Sequence, residues 1–122
     1  MSDPLQTILV VEDEPILRMI AVETLEDAGW TVIEFGTADE AVAFWSEPGN
    51  PVGAIFTDVN MPGELDGLDL AALVARTHPH AVLVVTSGRH QIMPDGVAAQ
   101  ARFLPKPWRA EQLLAALKQV TN

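Results

Sequence analysis

The sequence predicts a doubly wound α/β domain, a five-stranded parallel sheet with helices on both faces. Short β-branched runs alternate with longer stretches of helical periodicity in five successive units, the pattern of such a sheet. Three of the runs are almost continuously apolar, as strands buried on both faces should be. The chain has 122 residues, 48% of them in the hydrophobic class, which suffices for one core but not two.

The strand candidates are Thr7 to Val11, Thr31 to Phe35, Ala54 to Thr57, Ala81 to Thr86 and Arg102 to Leu104, with the second and fifth flanking the sheet. After the first strand, Leu17, Ile20, Ala21, Thr24, Leu25 and Ala28 recur at steps of three and four, while Arg18, Glu23, Glu26 and Asp27 take the opposite face. That spacing predicts an amphipathic helix closed by Gly29. Thr37 and Glu40 form a capping box for a second helix with a stripe of Ala38, Ala41, Val42 and Trp45, ended by Pro48, Gly49 and Pro51. A third helix fits Leu68 to Arg76. The last fits Arg109 to Val120, with Leu113, Ala116, Leu117 and Val120 on one face. Between the fourth and fifth strands, Pro94 and Gly96 interrupt the crossover segment from Gly88 to Ala101. A short, irregular or displaced fourth helix is expected there.

Composition excludes several functions. Seven Lys and Arg against 17 Asp and Glu give a net charge of -10, which disfavours direct contact with nucleic acid or an anionic membrane. The absence of cysteine removes disulfides, zinc fingers and thiol nucleophiles together. The N-terminus lacks a basic segment followed by an apolar run, and no stretch approaches the roughly 18 apolar residues of a membrane span. The expectation is a cytoplasmic, soluble protein.

In an open parallel sheet, ligands bind outside the carboxyl ends of the strands. Here those ends deliver Glu12 and Asp13 from the first strand, Asp58 and Asn60 from the third, Thr86 and Ser87 from the fourth, and Lys106 from the fifth. Three carboxylates brought together repel one another unless a cation joins them. A hard divalent ion such as Mg²⁺ suits an all-oxygen set. Asp13 and Asp58 are the expected direct ligands, with Glu12 acting through water and Asn60 through its carbonyl. A carboxylate can also attack phosphorus and form an acyl phosphate. Lys106 would then neutralise phosphoryl charge, and the Thr86 hydroxyl would bind a further phosphoryl oxygen.

Glu12-Asp13 within Val-Val-Glu-Asp-Glu-Pro, Thr-Asp-Val-Asn-Met-Pro at 57 to 62, Asp66-Gly67, Val-Thr-Ser-Gly at 85 to 88 and Phe-Leu-Pro-Lys-Pro at 103 to 107 resemble the receiver family of response regulators in two-component signalling. The resemblance covers Thr7 to Val120. It implies a flavodoxin-like sheet in the order 2-1-3-4-5, Asp58 as phospho-acceptor, Thr86 as switch hydroxyl, Phe103 as switch aromatic, and a cis Lys106-Pro107 peptide. It further implies Mg²⁺ or Mn²⁺ as cofactor and a histidine kinase or phosphotransfer protein as donor. A single receiver over residues 1–122 leaves no output domain, so an unidentified downstream protein would read the signal, or the chain would serve as a phosphate relay or sink. A weak homodimer is compatible with this. Two departures from chemotaxis-type receivers fall in the stretch through Gly63-Glu64-Leu65, one residue longer, and between Thr86 and Lys106, about two shorter.

Plainer readings compete at each position. A lone Asp at a strand end is usually a turn former or cap, Thr86 could be an ordinary strand residue, and Phe103 is first a core side chain. Only their coincidence favours chemistry. Asp66 and Asp69 suit the start of the third helix. His78, His80 and His90 match no metal spacing and are read as surface groups. Trp30, Trp45 and Trp108 are read as core or interface residues, Trp108 being the best interface candidate. The alternative function is a phosphatase using an aspartyl phosphate. Such an enzyme typically carries an acid–base carboxylate two residues after the nucleophile, where this chain has Asn60.

Overall fold

The computed structural model describes residues 6–45, 52–59, 63, 65–77, 81–88 and 101–118. Strands β1 (Thr7–Val11), β2 (Thr31–Phe35), β3 (Ala54–Asp58), β4 (Val82–Ser87) and β5 (Ala101–Pro105) alternate with helices α1 (Pro15–Asp27), α2 (Ala38–Trp45), α3 (Gly67–Thr77) and, after β5, α4 (Ala110–Lys118). The strands form one sheet in the order β2-β1-β3-β4-β5, and every neighbouring pair is parallel. This is the flavodoxin-like order that the resemblance implied. The crossover segment between β4 and β5, with its expected irregular helix and His90, lies outside the described residues except at its two ends, as do His78, His80 and Val120.

The three apolar runs occupy the centre. Every residue of β1, β3 and β4 is buried, whereas β2 and β5 at the edges are partly exposed. Alternation along each strand divides the core between the two faces. Leu9, Val11, Ile55, Leu83 and Val85 pack with Ala41 and Trp45 of α2 and Leu70, Ala71 and Val74 of α3. Ile8, Val10, Phe56 and Val84 pack with Ala21 and Leu25 of α1 and Leu113 and Leu117 of α4. Each fully buried Leu, Ile or Val stabilises the fold by about 1.5–3 kcal/mol.

Strand ends differ from expectation by a residue. β3 runs on to Asp58 because Asp58 pairs with Thr86, and β4 runs on to Ser87 because Ser87 pairs with Pro105. The stripe of α1 also differs: Ala21 and Leu25 are buried, but Ile20 is 42% exposed and Ala28 is exposed. A helix turns by about 100° per residue. With Ala21 against the sheet, Ile20 therefore points sideways, joining Ile16 (65% exposed) and Met19 (50%) on the open side.

Local chemistry sets the helix ends. Pro15 opens α1, where its missing N–H costs nothing. Gly29, at φ 98°, closes it in the left-handed region. At α2, Glu40 N donates to Thr37 Oγ1 at 3.2 Å, and the Thr37 hydroxyl donates to Glu40 Oε1 at 3.1 Å. Asp66 Oδ1 accepts from the N–H groups of Leu68 and Asp69 at 2.9 and 3.0 Å, while Asp69 Oδ2 accepts from Asp66 N at 2.9 Å. These two aspartates are thus occupied as a reciprocal cap of α3. Among the described residues, no helix is long and apolar enough to cross a membrane.

Candidate functional site

The parallel ladder brings the carboxyl ends of β1, β3, β4 and β5 to one edge, and polar side chains gather there. Glu12 extends β1, its N–H donating to Phe35 O at 3.1 Å. Its side chain is buried, with Oε1 2.9 Å from Lys106 Nζ and Oε2 accepting from Glu14 N at 3.2 Å. Asp58 ends β3, is also buried, and accepts from Lys106 Nζ at 2.8 Å through Oδ2. Lys106 follows β5 directly, its own N–H donating to Ser87 O at 2.9 Å, and the Lys106-Pro107 peptide is cis.

The backbone around Asp58 is held tightly. The Thr57 hydroxyl donates to Asp58 O at 3.0 Å, Val59 N donates to Thr86 O at 2.9 Å, and Gly67 N donates to Val59 O at 2.9 Å. Gly67 packs so closely here that a Cβ would collide with the Asp58 carbonyl. Asp39, on α2, accepts from Leu65 N at 3.1 Å, two residues before Gly67.

Glu12, Asp13 and Asp58 can each offer a carboxylate oxygen, all within 4.8 Å of one another. Burial pushes the Glu12 carboxyl up to about 7. Lys106 and the Glu14 N–H oppose that rise, and the Asp58 charge adds to it. Burial pulls Lys106 down, but its hydrogen bonds to Asp58 and Glu12 outweigh this and hold it above its ordinary value. One ammonium facing three clustered carboxylates leaves the site short of positive charge. A hard divalent cation fits this all-oxygen donor set.

The other sequence candidates fall as follows. Thr86 is buried beside Asp58, and among the described residues its Oγ1 has no hydrogen-bond partner. Phe103 is half-buried on β5 opposite Val85. Asn60 lies outside the described residues. Trp45 is buried and donates from Nε1 to Thr77 Oγ1 at 2.8 Å. Trp30 packs against the α1–α4 core. Trp108, the best interface candidate of the three, is half-buried, packs against the core and meets Phe56 edge-on at 5.5 Å.

Sequence reasoning missed two contributors. Arg18, assigned to the outer face of α1, donates from Nη1 to Glu12 O at 2.9 Å and from Nε to Glu34 Oε1 at 3.1 Å. Its partners are a backbone carbonyl and a residue on another strand, so helical spacing carried no signal of them. Thr57 entered only as a strand residue and as the first residue of the Thr-Asp-Val-Asn-Met-Pro motif, with no role of its own, because its bond goes to the neighbouring backbone.

A family model of the response regulator receiver domain matches residues 8–118. Among curated relatives, the sensor kinase CckA of Brucella abortus is 36% identical over 93% of this chain and 12% of its own length. The response regulator receiver protein CpdR of the same species is 29% identical over 95% of this chain and 97% of its own length. The chain spans only 24% to 51% of four further relatives that it matches. A crystal structure of a response regulator receiver protein from Sinorhizobium medicae superposes with a TM-score of 0.82 at 28% identity, covering 93% of this chain and 92% of that one.

Proposed function

The chain belongs to the response regulator receiver family, and from that premise we propose that it takes a phosphoryl group onto Asp58 with a divalent metal and signals by a change of surface. One observation carries this reading. A buried carboxylate, Asp58, accepts a hydrogen bond from Lys106 at 2.8 Å within reach of the carboxylates of Glu12 and Asp13.

Receiver domains are signalling modules, and the kinship with a sensor kinase points to a histidine kinase or phosphotransfer protein as donor. An Asp58 carboxylate oxygen attacks the phosphorus of a phospho-histidine. The new P–O bond forms as the P–N bond breaks, and the imidazole nitrogen keeps the electron pair and takes up a proton. Asp13 and Asp58, with Glu12, would hold Mg²⁺ or Mn²⁺, which when bound neutralises charge on the phosphoryl oxygens. Lys106 leaves its carboxylate contacts to bind a phosphoryl oxygen as a second positive charge. The Thr86 hydroxyl, unpartnered among the described residues, turns to donate to another. That motion frees space for Phe103, which biases the surface between two states.

The exposed ridge of Ile16, Met19 and Ile20 begins three residues after Asp13. An apolar surface so placed suits docking of the donor protein, while acidic Glu14 and Glu23 at its margins favour basic partner residues. The kinship with CpdR, a response regulator receiver protein, supports a receiver that acts in the cytoplasm through a downstream protein or as a phosphate relay or sink. The comparisons lend no support to the aspartyl-phosphate phosphatase alternative.

The test is incubation with a small acyl-phosphate donor and Mg²⁺. A base-labile mass gain of one phosphoryl group should appear in the native chain and vanish in Asp58→Asn. A folded, Mg²⁺-binding protein that never labels would sink the reading, and rapid turnover of many phosphate esters would favour the phosphatase.

A further inference from the structure

Glu12 and Asp13 are adjacent in sequence, so their relative placement depends on the peptide that joins them. A peptide is a rigid plane, and fixing its carbonyl fixes the direction in which the chain leaves. The Glu12 carbonyl accepts from Arg18 Nη1 at 2.9 Å, while the Glu12 N–H on the other side of the residue donates to Phe35 O at 3.1 Å. The guanidinium is itself oriented by Glu34 of β2, whose Oε1 accepts from Nε at 3.1 Å. Gly36 completes the arrangement: a Cβ there would come within 3.1 Å of Arg18 Nη1, closer than ordinary contact. α1, the end of β2 and the acidic turn after β1 thus meet at one side chain.

We propose that Arg18 is a positioning residue for the cation site, setting the Glu12–Asp13 peptide so that both carboxylates face Asp58. Glu34 aims the guanidinium, and Gly36 leaves it room. Arg18 acts only through the backbone of Glu12. The inference rests on the reading of Glu12, Asp13 and Asp58 as a divalent-metal site. Stability alone gives little reason for the arrangement, because a partly exposed pair such as Arg18–Glu34 contributes little to folding. Groups that orient metal ligands from outside, by contrast, commonly change metal affinity by about 10–100-fold.

The sign of the effect separates positioning from charge. Arg18 is a cation near a cation site, so its removal by charge alone would tighten metal binding, whereas loss of positioning would weaken it. The experiment titrates the full chain with Mn²⁺, following free Mn²⁺ by electron paramagnetic resonance, with circular dichroism and urea midpoints recorded in parallel. Arg18→Gln should weaken Mn²⁺ binding about tenfold. Arg18→Lys, which can still donate to the Glu12 carbonyl, should fall between it and the native chain. Gly36→Ala should weaken binding by a smaller factor, and Arg109→Gln, which removes a surface cation paired with Glu111, should leave it unchanged. Unchanged or tighter binding in a folded Arg18→Gln would overturn the proposal. Should that variant not fold, Gly36→Ala decides, with the same direction required. A native chain that binds no Mn²⁺ would instead overturn the metal-site reading itself.

Discussion

Lys106 Nζ stands 2.8 Å from Asp58 Oδ2, and the same ammonium lies 2.9 Å from Glu12 Oε1. One cation is therefore shared between two buried carboxylates, whose burial it helps to make tolerable. Removing one partner of a buried pair costs about 3–5 kcal/mol, because the remaining charge is left without compensation. Lys106→Met should accordingly lower the urea midpoint of the metal-free protein. Added Mg²⁺ should recover more stability in the variant than in the native chain, since the metal then supplies the missing charge. Labelling of Asp58 by a small acyl phosphate should slow about 10²-fold or more, as expected for loss of one stabilising donor in a transition state. Equal Mg²⁺ effects on both proteins would contradict this account.

Glu12 imposes a pH dependence of definite sign. Its folded value of about 7 lies above the ordinary 4.5, so the folded state holds this proton more tightly than the unfolded chain does. The contribution to stability is complete below about pH 4.5 and is lost as the pH rises towards 7. In the absence of metal, urea midpoints should fall across that window more in the native chain than in Glu12→Gln, and the difference between the two curves isolates this one group. A metal drawn to the ionised carboxylate should release a proton on binding near pH 6.5. Calorimetry in buffers of different ionisation enthalpy would detect that release, and its absence from the native chain would contradict the assignment.

Much of this site was legible because two physical rules act on the sequence directly. Strands buried on both faces must be apolar, which revealed β1, β3 and β4, and ligand groups lie at the carboxyl ends of parallel strands, which drew attention to Glu12, Asp13, Asp58, Thr86 and Lys106. The less legible features depend on orientation. Ile16, Leu17, Ile20 and Ala21 form an apolar band wider than the sheet can cover, and spacing alone does not reveal that Ala21 faces inward and Ile20 does not. Arg18 escaped because its partner at the turn is a backbone carbonyl, a group that every residue carries.

Gly67 and Gly29 should separate steric from conformational cost. A Cβ at Gly67 would strike the Asp58 carbonyl, whereas at Gly29 it meets nothing within 4 Å and only the positive φ of 98° opposes it. Gly29→Ala should therefore cost about 1 kcal/mol and leave metal binding and labelling intact. Gly67→Ala should cost about 1–3 kcal/mol and also impair labelling, because relief of the clash moves the backbone of Asp58. Paired urea unfolding and phosphorylation assays would check both, and a Gly67→Ala protein with native labelling would show that the loop yields elsewhere.

The ridge on α1 predicts a split between two phosphoryl donors. Replacement of exposed Ile16 and Met19 by Ser leaves the buried core of Ala21 and Leu25 intact, so folding should change by no more than about 0.5 kcal/mol. Transfer from a cognate phospho-histidine protein should slow by an order of magnitude or so if the ridge forms the apolar centre of that contact. Labelling by a small acyl phosphate, which needs no docking surface, should keep its native rate. Equal slowing with both donors would place the defect at Asp58 and not in docking.

Thr86 should show stability and signalling pulling apart. Its buried hydroxyl has no hydrogen-bond partner among the described residues, and an unmade buried hydrogen bond costs about 1–3 kcal/mol. Thr86→Val keeps the shape and removes that unmet donor, so the unphosphorylated protein should be at least as stable as the native chain, and by as much as about 1 kcal/mol more so. The phosphorylated form should lose the donor that draws the β4 end towards the phosphoryl group. Trp108, packed edge-on against Phe56 and two residues after Lys106, is placed to report the difference. Its emission should shift on phosphorylation of the native chain and shift less in Thr86→Val, even where both proteins carry the same mass gain. A stable variant with an undiminished shift would mean that the hydroxyl is no part of the switch.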